Sequence, residues 1–341
     1  MILIDGSQGE GGGQILRTSL ALSLLTGQSF KIVNIRSRRQ QSGLRPQHLA
    51  SVKAAASIGR SEVEGANLGS TELIFHPGKI HPGQYEFNIT TAGSTSLVLH
   101  TVYLPLSLAT SSSNITLTGG THVPKSPIFE YLDQHWLHYL QLLGLDIHLS
   151  LDTAGFYPQG GGQLQARIRS SSSIASLDLV QRGHLHQIRG ISAVANLDRR
   201  IAERQRGQVL RRLGDHYRLN DIRILDITSK FKGTFILLIA EFEYSQACYS
   251  ALGELGKPAE RVADDAIEAM ENFLATDGAV DHYLADQLLL PLSFASGPSK
   301  IRTSQITNHL LTNADVINVF LPKRIQITGN RGEPGNVTSH P

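Results

Sequence analysis

Three stretches of the chain hold side chains whose types and spacing could do chemistry on a phosphate. The first is DGSQGEGGGQILRTS, residues 5–19, a glycine-rich loop that follows the apolar run Ile2–Ile4 and opens a helix. Such a loop lets backbone N–H groups approach an anion closely, and the helix start adds partial positive charge. It lacks the Lys-Ser/Thr pair that ends a P-loop, and Gln14 stands where a dinucleotide-binding fingerprint needs its last glycine. Glu10 could ligate a hard cation that also holds phosphate oxygens, because Mg²⁺ usually takes one or two carboxylates together with substrate phosphate. Arg17, one turn into the helix, could reach the same anion. The plainer alternative is a tight turn with a solvated glutamate.

The second stretch, IRSRRQQSGLRPQHL, sets Arg36, Arg38, Arg39 and Arg45 ahead of a helix start marked by Pro46. Gln47 and His48 occupy that first turn. Arginines contact phosphate in bidentate fashion and helix N-termini bind anions, so this is a second local anion site or else a basic surface loop. The third stretch, SQITNHLLTNADVINVF, has Leu310, Ala314, Ile317 and Leu321 at helical spacing, with Thr307 or Asn308 as the N-cap. His309 would then sit in the first turn, where the helix dipole disfavours the imidazolium and keeps the ring in its neutral, nucleophilic form. Taken alone it could equally be an ordinary polar first-turn residue. Tyr283 and Asp286 lie near the start of another predicted helix, DHYLADQLLLP, and Tyr283 could stack on a base or be a half-buried aromatic. The remaining histidines, His135, His138 and His148 among them, show no metal-ligand spacing. Gly160–Gly162 lead into a strand and read as a backbone bulge or close packing rather than a second phosphate cradle.

The elements that must position these groups recur in a fixed order. Helix, strand, helix and strand succeed one another in QILRTSLALSLLTG to TELIFHPG, in TSLVLHTVYLPLSLA to LDIHLSLD, and in ADQLLLPLSFASG to RIQITGN. Helices end at glycine or proline, as at Gly27 and Gly59. Three such units suggest a mixed α/β (α+β) large domain with pseudo-threefold arrangement. Residues 1–182 and 277–341 would form it, and residues 183–276, with strands, a basic helix ERQRGQVLRRLG and a helix PAERVADDAIEAMENFLA, would be a smaller α/β domain inserted into the last unit. The run RSSSSIAS reads as a linker, and the tail RGEPGNVTSHP, without apolar periodicity, as frayed.

Composition narrows the function classes. A formal charge of +2 predicts no strong nonspecific attraction to nucleic acid, so any polyanion site must be a local cluster. The single cysteine, Cys248, excludes an intramolecular disulfide. No signal peptide pattern opens the chain and no window approaches the ~20 apolar residues of a membrane span, so the expected location is the cytoplasm, away from any membrane.

Together, DGSQGEGGGQILR, the arginine run with RPQHL, FYPQGGG, YLADQLLLPL and HLLTN resemble the RNA 3'-terminal phosphate cyclases, in order and spacing and over nearly the whole chain. The resemblance implies βαβαββ-like units similar to those of enolpyruvyl transferases. It further implies ATP-dependent conversion of an RNA 3'-phosphate to a 2',3'-cyclic phosphodiester through a covalent histidine-AMP, with RNA and ATP as partners and Mg²⁺ or Mn²⁺ as the metal. On that basis His309 is the expected nucleophile and Glu10 the metal-associated carboxylate. Arg17, Arg36, Arg39, Gln47 and His48 would bind RNA phosphate and triphosphate, and Tyr283, Leu284, Ala285, Asp286 and Gln287 the nucleotide, with Pro127 on the other face of the base. His100 stands where bacterial members carry an ATP-contacting glutamine, and histidine can still donate or accept there. Two rivals share the architecture: a non-catalytic, cyclase-like ribosome-assembly scaffold, which HLLTN argues against, and a carboxyvinyl transferase, which matches in fold alone. The oligomeric state is left open.

Overall fold

The computed structural model, which describes residues 1–9 and 11–341, repeats one topology three times. The first unit is β1 (Ile2–Asp5), α1 (Gly13–Thr26), β2 (Phe30–Val33), α2 (Pro46–Gly59), β3 (Glu62–Glu64) and β4 (Leu73–His76). β1 and β2 pair in parallel, β4 joins β2 antiparallel, and β3 closes the sheet on β4. The second unit is β5 (Gln84–Asn88), α3 (Thr95–Ser107), β6 (Ser113–Gly119), α4 (Phe129–Tyr131) leading through a π-helical turn, Leu132–Trp136, into α5 (Leu137–Leu142), then β7 (Ile147–Thr153) and β8 (Gly162–Ile168). Its order, β5-β6-β8-β7, matches β1-β2-β4-β3.

The third unit opens with β9 (Asp178–Leu179) and is interrupted at once. The intervening chain forms β10 (Leu185–Ala195), α6 (Arg200–Leu213), β11 (Leu219–Asp226), β12 (Gly233–Phe242), β13 (Gln246–Leu252) and α7 (Ala259–Leu274). The unit resumes with α8 (His282–Leu292), β14 (Ser299–Thr303), α9 (Asn308–Phe320), β15 (Ile325–Thr328) and β16 (Gly335–Ser339). β9 pairs in parallel with β14 and the β15–β16 hairpin completes the sheet, so the fold is three βαβαββ units and an inserted sheet with two helices.

Two expectations fail here. The C-terminal segment does not fray: β16 lies between β14 and β15, and Val337 is 1% exposed. RSSSSIAS is not a free linker, because Ile174 is buried and bridges Ala295, while the Ser171 amide donates to the Ser107 carbonyl at 2.6 Å. In both places backbone pairing, which side-chain pattern does not register, fixes the chain. A smaller difference lies at the end of α2, where Arg60, not Gly59, takes the left-handed conformation (φ 45°). Gly59 is needed for approach instead, since a Cβ there would fall 2.4 Å from a Leu24 methyl.

Alternation along β12 explains how the insertion is joined to the rest. Phe235, Leu237 and Ile239 point into the main core, whereas Ile236, Leu238 and Ala240 face a second core with Val209 of α6 and Ile267 of α7. The inserted sheet is therefore covered on both faces. Across the two helices Arg204 pairs with Glu260 at 2.7 Å and Arg212 with Asp264 at 3.0 Å, which accounts for much of the basic character of α6. Among the described residues no helix is long and apolar enough to cross a membrane.

Candidate active site

Helix starts converge around His309. Thr307 caps α9, its Oγ1 accepting from the Leu310 amide at 3.1 Å, and this leaves His309 exposed in the first turn. Its Nδ1 lies 2.5 Å from Gln14 Oε1 at the start of α1, and Gln14 Nε2 lies 3.5 Å from Asp286 Oδ2 on α8. A carboxylate only accepts, so the Gln14 amide turns its NH₂ to Asp286 and its carbonyl to the imidazole. Nδ1 must then carry the proton, and in the neutral ring the lone pair falls on Nε2. One turn along α9, Asn313 accepts from Thr18 Oγ1 at 2.7 Å and donates to the Asp286 carbonyl at 2.8 Å. That one buried amide locks α1, α8 and α9 together.

Beside this run the start of α1 meets the side chains of Arg17 and His48. α1 begins at Gly13, and its N-cap, Gly12, has no side chain to offer the first amides; helix starts of this kind can bind anions. A Cβ on Gly13 would stand 2.3 Å from His48 Nε2 and 2.9 Å from an Arg17 guanidinium nitrogen. Glycine thus allows both side chains to close on the helix start. Likewise Gly9, with φ at 53°, lets the loop approach α9, where a Cβ would fall 1.9 Å from Thr312 Oγ1.

His48 occupies the first turn of α2, and its Nδ1 accepts from the Arg45 amide at 3.1 Å, so Nε2 is the ring's donor. Burial, then the charges of Arg17, Arg36 and Arg45, hold its pKa down to about 3, so the ring is a neutral donor near pH 7. Burial also lowers Arg17 to about 10, opposed by Asp286, and the guanidinium stays cationic. Arg36 adopts φ 54° and donates to the carbonyls of Gln41 (2.7 Å) and Gly43 (3.3 Å), so it braces its own loop. Its pKa is lowered by burial and then by Arg39 and Arg45, a like-charge cluster that an anion would relieve. Arg39 reaches back over the glycine loop, with Nη2 3.3 Å from where a Gly12 Cβ would be. Gln47 accepts from the Ser94 amide at 3.3 Å, which ties α2 to the start of α3.

The expected nucleotide residues divide. Asp281 caps α8, accepting from the amides of Tyr283 (3.1 Å) and Leu284 (2.9 Å), and its other oxygen meets His135 Nε2 at 2.6 Å. Tyr283 is 54% exposed, while Leu284 and Ala285 are turned wholly into the core and offer no side chain to a ligand. Gln287 Nε2 lies 3.4 Å from the Tyr131 hydroxyl, and its buried Oε1 has no hydrogen-bond partner among the described residues. The same is true of His100 Nε2, the Tyr103 hydroxyl and Trp136 Nε1, whose rings pack together, His100 to Trp136 at 4.9 Å. Burial, then Arg17, lowers the His100 pKa to about 3. The Pro127 carbonyl accepts from Ser96 Oγ at 2.8 Å on the helix that carries His100. Glu10 lies outside the described residues. Among the described ones no three His, Cys, Asp or Glu side chains converge.

The structure thus brings Arg17, His48, His100, Asp286 and His309 into one neighbourhood, together with Gln14 and Asn313, which sequence reasoning missed. Asn313 had a signal, four residues past His309 on the same helical face. The model of the family described as RNA 3'-terminal phosphate cyclase matches residues 8–327. The chain belongs to the RNA 3'-terminal phosphate cyclase family. Proteins named RNA 3'-terminal phosphate cyclase from Nostoc punctiforme (40% identical, 96% of both chains), Koribacter versatilis (41%, 96% of this chain and 92% of that one) and Archaeoglobus fulgidus (40%, 97% and 99%) are similar along most of their length. The cyclase match takes in every helix start described above. The enolpyruvyl transferase NikO from Streptomyces tendae aligns over 99% of this chain and 81% of its own at 10% identity, but with a TM-score of 0.28 it carries no argument.

Proposed function

We propose that the chain uses ATP to convert the 3'-terminal phosphate of RNA to a 2',3'-cyclic phosphodiester. A phosphate monoester has no leaving group that an internal hydroxyl could expel, so the phosphate must first be activated. His309 Nε2 attacks the α-phosphorus of ATP, the P–O bond to pyrophosphate breaks, and AMP remains on the ring. An oxygen of the RNA 3'-phosphate then displaces the histidine to give an RNA-phosphate-AMP. Finally the vicinal 2'-hydroxyl attacks the RNA phosphorus, loses its proton and expels AMP.

The observation that carries the reading is the hydrogen-bonded run Asp286–Gln14–His309, which turns the Nδ1 proton to Gln14, so that in the neutral ring the lone pair lies on Nε2. Arg17, His48 and the first amides of α1 would bind phosphate oxygens as charge develops on them. Mg²⁺ or Mn²⁺, held by Glu10 and substrate oxygens, would supply Lewis-acid stabilisation of the same charge. Tyr283, Gln287, His100 and Pro127 are the side chains proposed for the nucleoside.

Incubation with α-labelled ATP and Mg²⁺ should leave acid-labile, alkali-stable label on the protein, absent in His309→Ala. An unlabelled wild-type chain at saturating ATP would favour the non-catalytic scaffold.

A further inference from the structure

We propose that a surface stripe running from the Arg45–Gln47 cleft across Tyr157 to Lys230, Phe231 and Lys232 carries the single-stranded RNA that precedes the 3'-phosphate. This rests on the cyclase reading for its ligand, and on geometry outside the catalytic cluster for its path. Arg45, Gln47, Tyr157 and Pro158 line one open cleft of 280 Å³, so Tyr157 stands beside the expected phosphate-binding residues. Tyr157 is 67% exposed on a turn closed by the Gly160 amide, which donates to the Phe156 carbonyl at 2.7 Å. Gly160 packs directly on the cleft wall, where a Cβ would stand 2.8 Å from the Ala92 Cα, so the turn is fixed against it.

The same turn leads to a second aromatic. The Phe231 ring lies 3.5 Å from where a Gly161 Cβ would be, and it is 37% exposed. Its loop is bound to the turn from both sides: the Ala154 amide donates to the Thr228 carbonyl at 2.8 Å, and Ser229 Oγ donates to the Ala154 carbonyl at 2.8 Å. Asn196 further holds the carbonyls of Ser229 and Phe231. Two partly exposed aromatics therefore stand on backbone segments tied to one another, leaving apolar surface on which flat rings could stack. Lys230 and Lys232 flank Phe231 and are exposed, and neither enters an ion pair among the described residues, unlike Arg204 and Arg212 on the same insertion.

Cations interleaved with stacking platforms, next to a phosphate pocket, fit unpaired nucleotides read without sequence preference. A base pair at the RNA end would deny these rings the base faces they need. The inserted segment thereby becomes part of the substrate path.

The test compares KM for 3'-phosphorylated RNAs from dinucleotide to decanucleotide in wild type and Phe231→Ala. Wild-type KM should fall with length, and Phe231→Ala should raise the decanucleotide-to-dinucleotide KM ratio roughly tenfold, the scale of one lost base stack. That ratio does not depend on the fraction of protein folded. Joint Lys230→Gln and Lys232→Gln replacement should lower the salt dependence of decanucleotide binding by roughly 0.7 per lysine in log–log slope. A length-independent KM in wild type, or an unchanged ratio in Phe231→Ala, would overturn the proposal. If wild type cyclises no RNA at all, the cyclase reading is what has failed. Anisotropy with the same RNAs bearing 3'-hydroxyls then decides the stripe separately: weaker decanucleotide binding by Phe231→Ala supports it, and equal binding removes it.

Discussion

A histidine can serve as a nucleophile only if the right nitrogen holds the lone pair, and here the tautomer is set by a residue 295 positions away in sequence. The place of His309 in the first turn of α9 was legible from Thr307 and the apolar spacing behind it. Gln14 was not, because its partner lies on another unit, and in sequence it registers only as a glycine that is missing. Gln14→Leu keeps the volume but gives Nδ1 no acceptor, so the rate of protein adenylylation should fall on the order of tenfold to a hundredfold, as for other groups that orient an imidazole. Unchanged labelling kinetics would show that the amide does not set the tautomer. Acid stability belongs to the same scale. His48 and His100 stay neutral when folded down to about pH 3, whereas in the unfolded chain each takes a proton near 6.5. Between those values the unfolded state holds more protons, so stability is lost as pH falls through the window, by up to about 1.4 kcal/mol per pH unit for each histidine. His100→Gln should therefore flatten the decline of unfolding free energy between about pH 6 and pH 4 in urea titrations. Slopes parallel to wild type would mean that His100 is not held neutral.

Helices were readable because their ends carry punctuation: Gly27 in the left-handed conformation after α1, Pro46 opening α2, Thr307 as a cap of α9. Short strands carry none. In β16 the sequence GNVTS offers one fully buried apolar side chain, Val337, and everything else that defines the strand is backbone pairing to β14 and β15. β9, two residues long, escaped for the same reason, although its parallel pairing with β14 is what begins the third unit. The register gives a direct check. Deleting residues 335–341 would expose the ladders of two neighbouring strands at once, so the truncated chain should be insoluble or should unfold several degrees lower. A truncation with an unchanged urea midpoint would restore the frayed-tail reading.

At the scale of the whole molecule, the insertion was visible as an interruption of the third unit, but its attachment was not, because TFILLIAEFEY is apolar on both faces and does not say what covers each. The alternation of β12 supplies the answer: one face belongs to the three-unit core and the other to α6 and α7. A sheet shared in this way makes the two cores thermodynamically interdependent. Melting either would leave a face of the same sheet exposed, at roughly 25 cal/mol for every Å² of apolar surface returned to water. Two packed regions joined by a flexible tether would unfold separately, whereas these should unfold together. The discriminating variant is Leu238→Ala, which removes buried volume from the second core while leaving the residues around His309 untouched. The expected loss is about 2–5 kcal/mol. It should appear in calorimetry as a downward shift of a single transition, with self-adenylylation lost over the same temperature range. A low-temperature peak that splits off while labelling by ATP persists above it would show that the inserted sheet melts by itself and that its second face contributes nothing to holding the site.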